Sequence, residues 1–162
     1  MLDQIEHDVR KRWGRIILSL AAAVACGAFA FLNSFPLEAL GLVAVAAFAG
    51  QFMRHVALSN HVHQIGGIVA GGVTASLVFF AITEFLGLIG AADPSDFSSG
   101  YVAAVLFLIP GFPLFSALID MARFDFDAGL VRLAYAFCVI FAATFTVAMV
   151  SWLTDLNPCL LY

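Results

Sequence analysis

Long apolar runs alternate with short polar interruptions along the chain, and the length of the runs decides what they are. Apolar stretches extend from Ile16 to Phe35, Leu37 to Leu58, Ile65 to Ile89, Ser99 to Ile119 and Gly129 to Leu153. A helix rises about 1.5 Å per residue, so about 20 such residues cross a hydrocarbon core about 30 Å thick. The pattern therefore predicts five membrane-spanning helices and an all-α transmembrane bundle. Residues 1–15 form a segment before the bundle, residues 16–154 the bundle itself, and residues 155–162 a short tail. The connections are brief. Pro36 is expected to end the first span, since a proline disfavours helix at the residue before it, with a tight turn through Asn33, Ser34 and Phe35. Ser59 to Gln64 forms a polar loop, AADPSDFSSG concentrates turn-forming residues, and Asp127 is expected to cap the last span.

Composition removes the soluble alternative: 63% of residues are hydrophobic and 11% charged, with a mean hydropathy of +1.03. Charge then orients the bundle. The seven basic residues, Arg10, Lys11, Arg12, Arg15, Arg54, Arg123 and Arg132, all fall on one side of the predicted spans, while the opposite loops carry Glu38, Asp93, Asp96 and Asp155. Basic loops stay in the cytoplasm, so the N-terminus is expected inside and the C-terminus outside a bacterial inner membrane. The leading MLDQIEHDVRKRWGR can lie on the inner surface as an amphipathic helix anchored by Trp13, or form a solvated tail. A cleaved signal, or a lipid site at Ala23-Val24-Ala25-Cys26, is disfavoured because the apolar run fills a whole span and more spans follow.

Cys26, Cys138 and Cys159 show no metal-ligand spacing and read as small hydrophobes. His61 and His63, with His55 nearby, form an H-x-H pair able in principle to bind a metal or sense pH. No carboxylate or cysteine lies between them, so a polar loop is the expected role, with no metal and no cofactor. In IGGIVAGGVTAS, Gly67 and Gly71 make a GxxxG, and Gly72 and Ser76 repeat the small-residue spacing. Such stripes let helix backbones approach closely in lipid, which is the preferred reading here; the alternative is a route for a polar solute.

The most specific chemistry lies in the fourth span, LFLIPGFPLFSALID. Two prolines three apart with a glycine between them should interrupt the helix. At about 1.5 Å per residue from Ser99, Pro110 lies about 16 Å deep, near the midplane. Irregular backbone survives there only when buried in protein or lining a cavity. An inner half-helix starting at Pro113 would direct the free N–H groups of Leu114, Phe115 and Ser116, and a partial positive charge, at the midplane, where a carboxylate is favoured. The candidate substrate-binding residues are thus Pro110, Gly111, Pro113, Leu114, Phe115 and Ser116. The bland alternative is a proline kink sealed by neighbouring helices.

Asp120 at the inner end, with Arg123 one turn later, makes an ion-paired gate or an interfacial salt bridge. Asp125 and Asp127 belong to the inner turn, and Arg132 can snorkel or pair with one of these acids. Glu84, late in the third span, is a second candidate for proton coupling alongside Asp120. Three function classes follow: a transporter subunit, a membrane scaffold or assembly protein, and an intramembrane enzyme. The last is disfavoured because no two carboxylates converge at one depth and no Ser/His pair appears within the spans; no catalytic residue is assigned.

From Pro110 to Arg132 the chain reads PGFPLFSALIDMARFDFDAGLVR and resembles the signature region of the threonine/serine exporter family: a PG motif, an Asp ten residues on, a second Asp, a Gly and an Arg. The matching positions are Pro110, Gly111, Asp120, Asp125, Gly129 and Arg132. The five-span layout and FPLEALGLVAVAAFAGQFMRH extend the resemblance loosely. The resemblance implies a secondary transporter exporting small amino acids or related dicarboxylates, built from two membrane halves that are fused or separate. The chain looks like one half, without the soluble domain of fused members. Its expected partners are lipid, a second copy or second membrane subunit, and a small-molecule substrate, but no nucleic acid. An odd number of spans would invert two fused halves, whereas the basic residues here place the N-terminus inside. The chain then corresponds to a first half, or its subunits pair in parallel, or one span is not a true crossing.

Overall fold

The computed structural model describes residues 14–88 and 98–154. The expected amphipathic segment with Trp13, Asp93 and Asp96 of the outer loop, and the tail with Asp155 and Cys159 lie outside the described residues. The described chain is helical: α1 (Arg15–Leu32), α2 (Leu37–Ser59), α3 (Gln64–Leu88), α4 (Ser98–Ala104), a 3-10 turn (Leu106–Leu108), α5 (Gly111–Ala122) and α6 (Phe126–Leu153). Helices α1, α2, α3 and α6 are each long and apolar enough to cross a membrane, and α5 is a shorter apolar helix. Together α4, the 3-10 turn and α5 follow the course of the predicted fourth span. The all-α, multi-pass bundle read from the sequence is the architecture the chain adopts.

Three helix ends close by the same device. After α1, Ser34 takes φ 60°, with the Phe35 N–H donating to the Ala30 carbonyl at 3.2 Å and the Ser34 N–H to Phe31 at 3.0 Å. His61 (φ 60°) after α2 and Phe124 (φ 63°) after α5 repeat it, with Val62 N–H to Ala57 at 3.2 Å and Asp125 N–H to Asp120 at 3.0 Å. These are Schellman caps, which satisfy orphan carbonyls by a left-handed residue just past the helix. Pro36 therefore acts on the next helix rather than ending the first: α1 has already stopped, and Pro36 stands as the N-cap of α2. The last span is capped by Asp125, whose carboxylate accepts from the Ala128 N–H at 3.4 Å, not by the expected Asp127. The reversal at Phe124 leaves Asp125 as the non-helical residue before Phe126, and Asp127 falls inside the first turn, where its charge still favours the helix dipole.

Packing rests on small residues. A Cβ on Gly50 of α2 would come within 2.7 Å of the Gly71 carbonyl oxygen and of Ala75 on α3, so these helices meet backbone to backbone. The two small-residue stripes of α3 serve different neighbours: Gly67 and Gly71 face Leu58 and Arg54 of α2, while Gly72 faces Leu108 and Thr146. Close packing, the preferred reading of the GxxxG, is what these contacts show. The buried threonine hydroxyls are satisfied within their own helices: Thr83 donates to the Phe80 carbonyl at 2.8 Å and Thr146 to Ala142 at 2.7 Å. Cys26 is buried among apolar residues, and Cys138 is exposed on α6.

Candidate functional site

The fourth span breaks because two local rules coincide. A residue before proline is driven out of the helical region, and Ile109 accordingly lies at φ −65°, ψ 124°. Pro110 (φ −79°, ψ 65°) then becomes the N-cap of α5, which begins at Gly111. The half-helix thus starts two residues before the expected Pro113. Proline is tolerated in a first turn, where its missing N–H has no ladder partner to lose, so Pro113 sits inside α5 instead of opening it. As a result the Leu114 N–H already donates to the Pro110 carbonyl at 3.1 Å, and Phe115 and Ser116 lie within the helical ladder. The Gly111 N–H turns back to Ile109 at 2.9 Å. Of the first turn, the donor left over is Phe112, not Leu114, Phe115 or Ser116.

The break opens on a pocket of about 290 Å³. Pro110, Gly111, Phe112 and Pro113 form one wall, with Ile68, Leu108 and Val139 behind them; Arg54, Gln64 and Tyr135 bring polar groups from three other helical segments. The Nε of Arg54 is buried and has no hydrogen-bond partner. Sequence reasoning used Arg54 only as an orientation charge. The available signal was its position, more than one turn inside a span, where an ionisable residue is functional by default. At about 1.5 Å per residue it lies about 7 Å from the end of α2, and side chains lean toward a helix's N-terminus, here toward the depth of the break.

The acidic candidates separate into two places. Asp120 is ion-paired with Arg132 across the turn between α5 and α6, with 18% of the Asp120 side chain exposed against 52% for Arg132. The expected partner Arg123 is instead the C-cap of α5; the reversal at Phe124 brings the second turn of α6 beside Asp120. Glu84 is exposed and borders a recess with Phe85, Gly87 and Leu88. It stands about 24 Å along α3 from the pocket residue Ile68 at the helical rise. Two of the histidines have polar neighbours: His55 Nε2 lies 3.3 Å from Gln51 Nε2, and His63 Nδ1 accepts from the Ile65 N–H at 3.4 Å. Among the described residues no group of three His, Cys, Asp or Glu side chains is placed to hold a metal ion.

The family model described as "Putative threonine/serine exporter" matches residues 1–154. The chain belongs to this family. The six positions that carry the sequence resemblance each have a structural place: Pro110 and Gly111 at the pocket, Asp120 and Arg132 in the ion pair, Asp125 as the cap of α6, and Gly129 against α5. A Cβ on Gly129 would approach Met121 Cγ to 2.9 Å and the Ala117 carbonyl to 3.2 Å. The chain is similar to the "Probable succinate transporter subunit YjjP" of Escherichia coli (strain K12), 28% identical over 142 residues, covering 85% of this chain and 52% of that protein. The protein of the same name from Klebsiella aerogenes is 26% identical over 152 residues, covering 88% of this chain and 56% of its own length. The chain spans about half the length of these curated relatives. No solved structure matches.

Proposed function

We propose that this chain is a membrane subunit of a secondary transporter that exports small amino acids, threonine- or serine-like, or related small carboxylates. Family membership supports a transport role rather than an enzymatic one, and the relatives' names speak of a succinate transporter subunit. The observation that carries the reading is the interrupted fourth span opening on a pocket with polar walls. Discontinuous helices whose half-helix ends meet a solute are how many secondary transporters bind at mid-depth, and the pocket is at the small end of ligand-site volumes.

Export is driven by the proton gradient, with Asp120 or Glu84 as the exchanging carboxylate and the Asp120–Arg132 pair, with Asp125, as an inner gate. The subunit acts with a second copy or a second membrane subunit in the bacterial inner membrane, N-terminus inside. Cells lacking the protein should lose efflux of a small carboxylate identified by mass, and unchanged efflux of all such solutes overturns the proposal. Single cysteines at Asn60→Cys and Ser95→Cys, in a background without the native three, should label from opposite sides of the membrane. Crosslinking in native membranes should capture an oligomer.

A further inference from the structure

Arg54 presents a problem of charge. A guanidinium taken out of water is costly unless it is paired and hydrogen-bonded, yet its Nε is buried without a partner. The acids of the described chain do not supply one. Asp120 is engaged by Arg132, Asp125 caps α6 and Asp127 lies in the first turn of that helix. Glu38 is in the first turn of α2, about 24 Å from Arg54 along the helix axis, and Glu84 is as far from the pocket along α3. Arg54 instead lines a pocket whose far wall is the broken backbone, with Phe112 contributing an unused N–H. A planar cation opposite a helix start fits a planar anion, since guanidinium and carboxylate pair through two parallel hydrogen bonds. Ile68, Leu108 and Val139 leave space beside it for a short carbon skeleton.

We propose that Arg54 is the carboxylate-recognition residue of the pocket, receiving one carboxylate of the transported solute between its guanidinium and the first turn of α5. This rests on the exporter reading given above. The occupant is a small mono- or dicarboxylate, which supplies the counter-charge that no acid of the described residues provides. Gln64 and Tyr135, on the same pocket, are the groups available to a second polar end of the solute.

The test uses membrane vesicles from the host, with the chain in its natural complex and labelled succinate and labelled threonine as probes. Arg54→Gln should raise the half-saturating concentration of the transported probe at least tenfold, and Arg54→Lys should fall between it and the unaltered protein, because the charge survives while the fork is lost. The empty protein should be as heat-stable in Arg54→Gln as before, or more so, since a half-buried cation with no acid beside it among the described residues has been removed. A residue that merely holds the fold together would lose stability instead, and that result overturns the inference. Half-saturation unchanged in Arg54→Gln overturns it too and leaves the exporter reading standing. Vesicles of the unaltered protein that move neither probe overturn both.

Discussion

Gly50 and Gly111 are both helical glycines in one bundle, and they do opposite things. At Gly50 an added Cβ would meet Ala75, the Gly71 carbonyl and the Phe107 ring, all at 2.7 Å, whereas at Gly111 nothing lies within 4 Å. The first glycine is required by contact and the second by the path of the backbone. The α2–α3 crossing is closed, with Val43, Ala46, Ala47 and Ala75 buried. Helix α5 buries only Ala117 among its residues, and Phe112, Phe115 and Leu118 stay more than half exposed. One side of the molecule is thus a scaffold that fixes Arg54, and the other is a short half-helix packed chiefly against α6.

The contrast is broken most severely by Gly50→Ala. Backbone cannot retreat from a methyl as a flexible side chain can, so the helices must separate, at a cost of about 2–3 kcal/mol or more. Folded yield in mild detergent should collapse. A normal yield and melting temperature would show that the crossing is looser than the contacts state. The double change Pro110→Ala with Gly111→Ala should do the reverse. It restores helix-forming residues where there is open space, so stability stays within about 1 kcal/mol, while the break closes, the pocket loses its far wall, and transport falls at least tenfold. Unchanged transport at equal protein level would reduce the break to a packing kink and favour a scaffold role.

Asp120→Asn tests the rim of the open side. The pair with Arg132 is partly solvated on the arginine side, so its loss should cost under about 1 kcal/mol. If Asp120 carries protons, the pH dependence of export should flatten. Arg132→Gln should match the stability loss and keep the pH response. Equal pH profiles in both variants would assign Asp120 to bridging alone.

How much of this was legible in the sequence follows the range of the interactions involved. The spans, the small-residue stripes and the place of the break are written in composition and spacing, and all three are present. The starting residue of α5 was harder, because Pro110 and Pro113 each can open a helix, and the choice depends on Ile109 being driven extended by its own neighbour. Asp120 had two arginines in reach along the chain, and only the reversal at Phe124 selects Arg132. The isolation of Arg54 was out of reach, since it depends on where five acids from three other elements and the far end of its own helix come to rest in space.

The smallest effect concerns the turns that join the helices and compares two of them. His61 and Phe124 both occupy the left-handed position that glycine fills without a Cβ penalty. His61 is exposed, so His61→Gly should relieve that strain with little lost, raising stability by about 0.5–1 kcal/mol after the extra chain entropy of glycine is subtracted. Phe124 stands edge-on to Phe126, ring centroids 6.2 Å apart, a contact of about 0.5–1.5 kcal/mol, so Phe124→Gly should be close to neutral. Melting temperatures in one detergent, with and without added zinc, separate the roles left open for the H-x-H pair. A turn residue gives a rise in His61→Gly that zinc does not alter. Zinc that stabilises the unaltered protein, and fails to stabilise the variant, would make His61 a ligand.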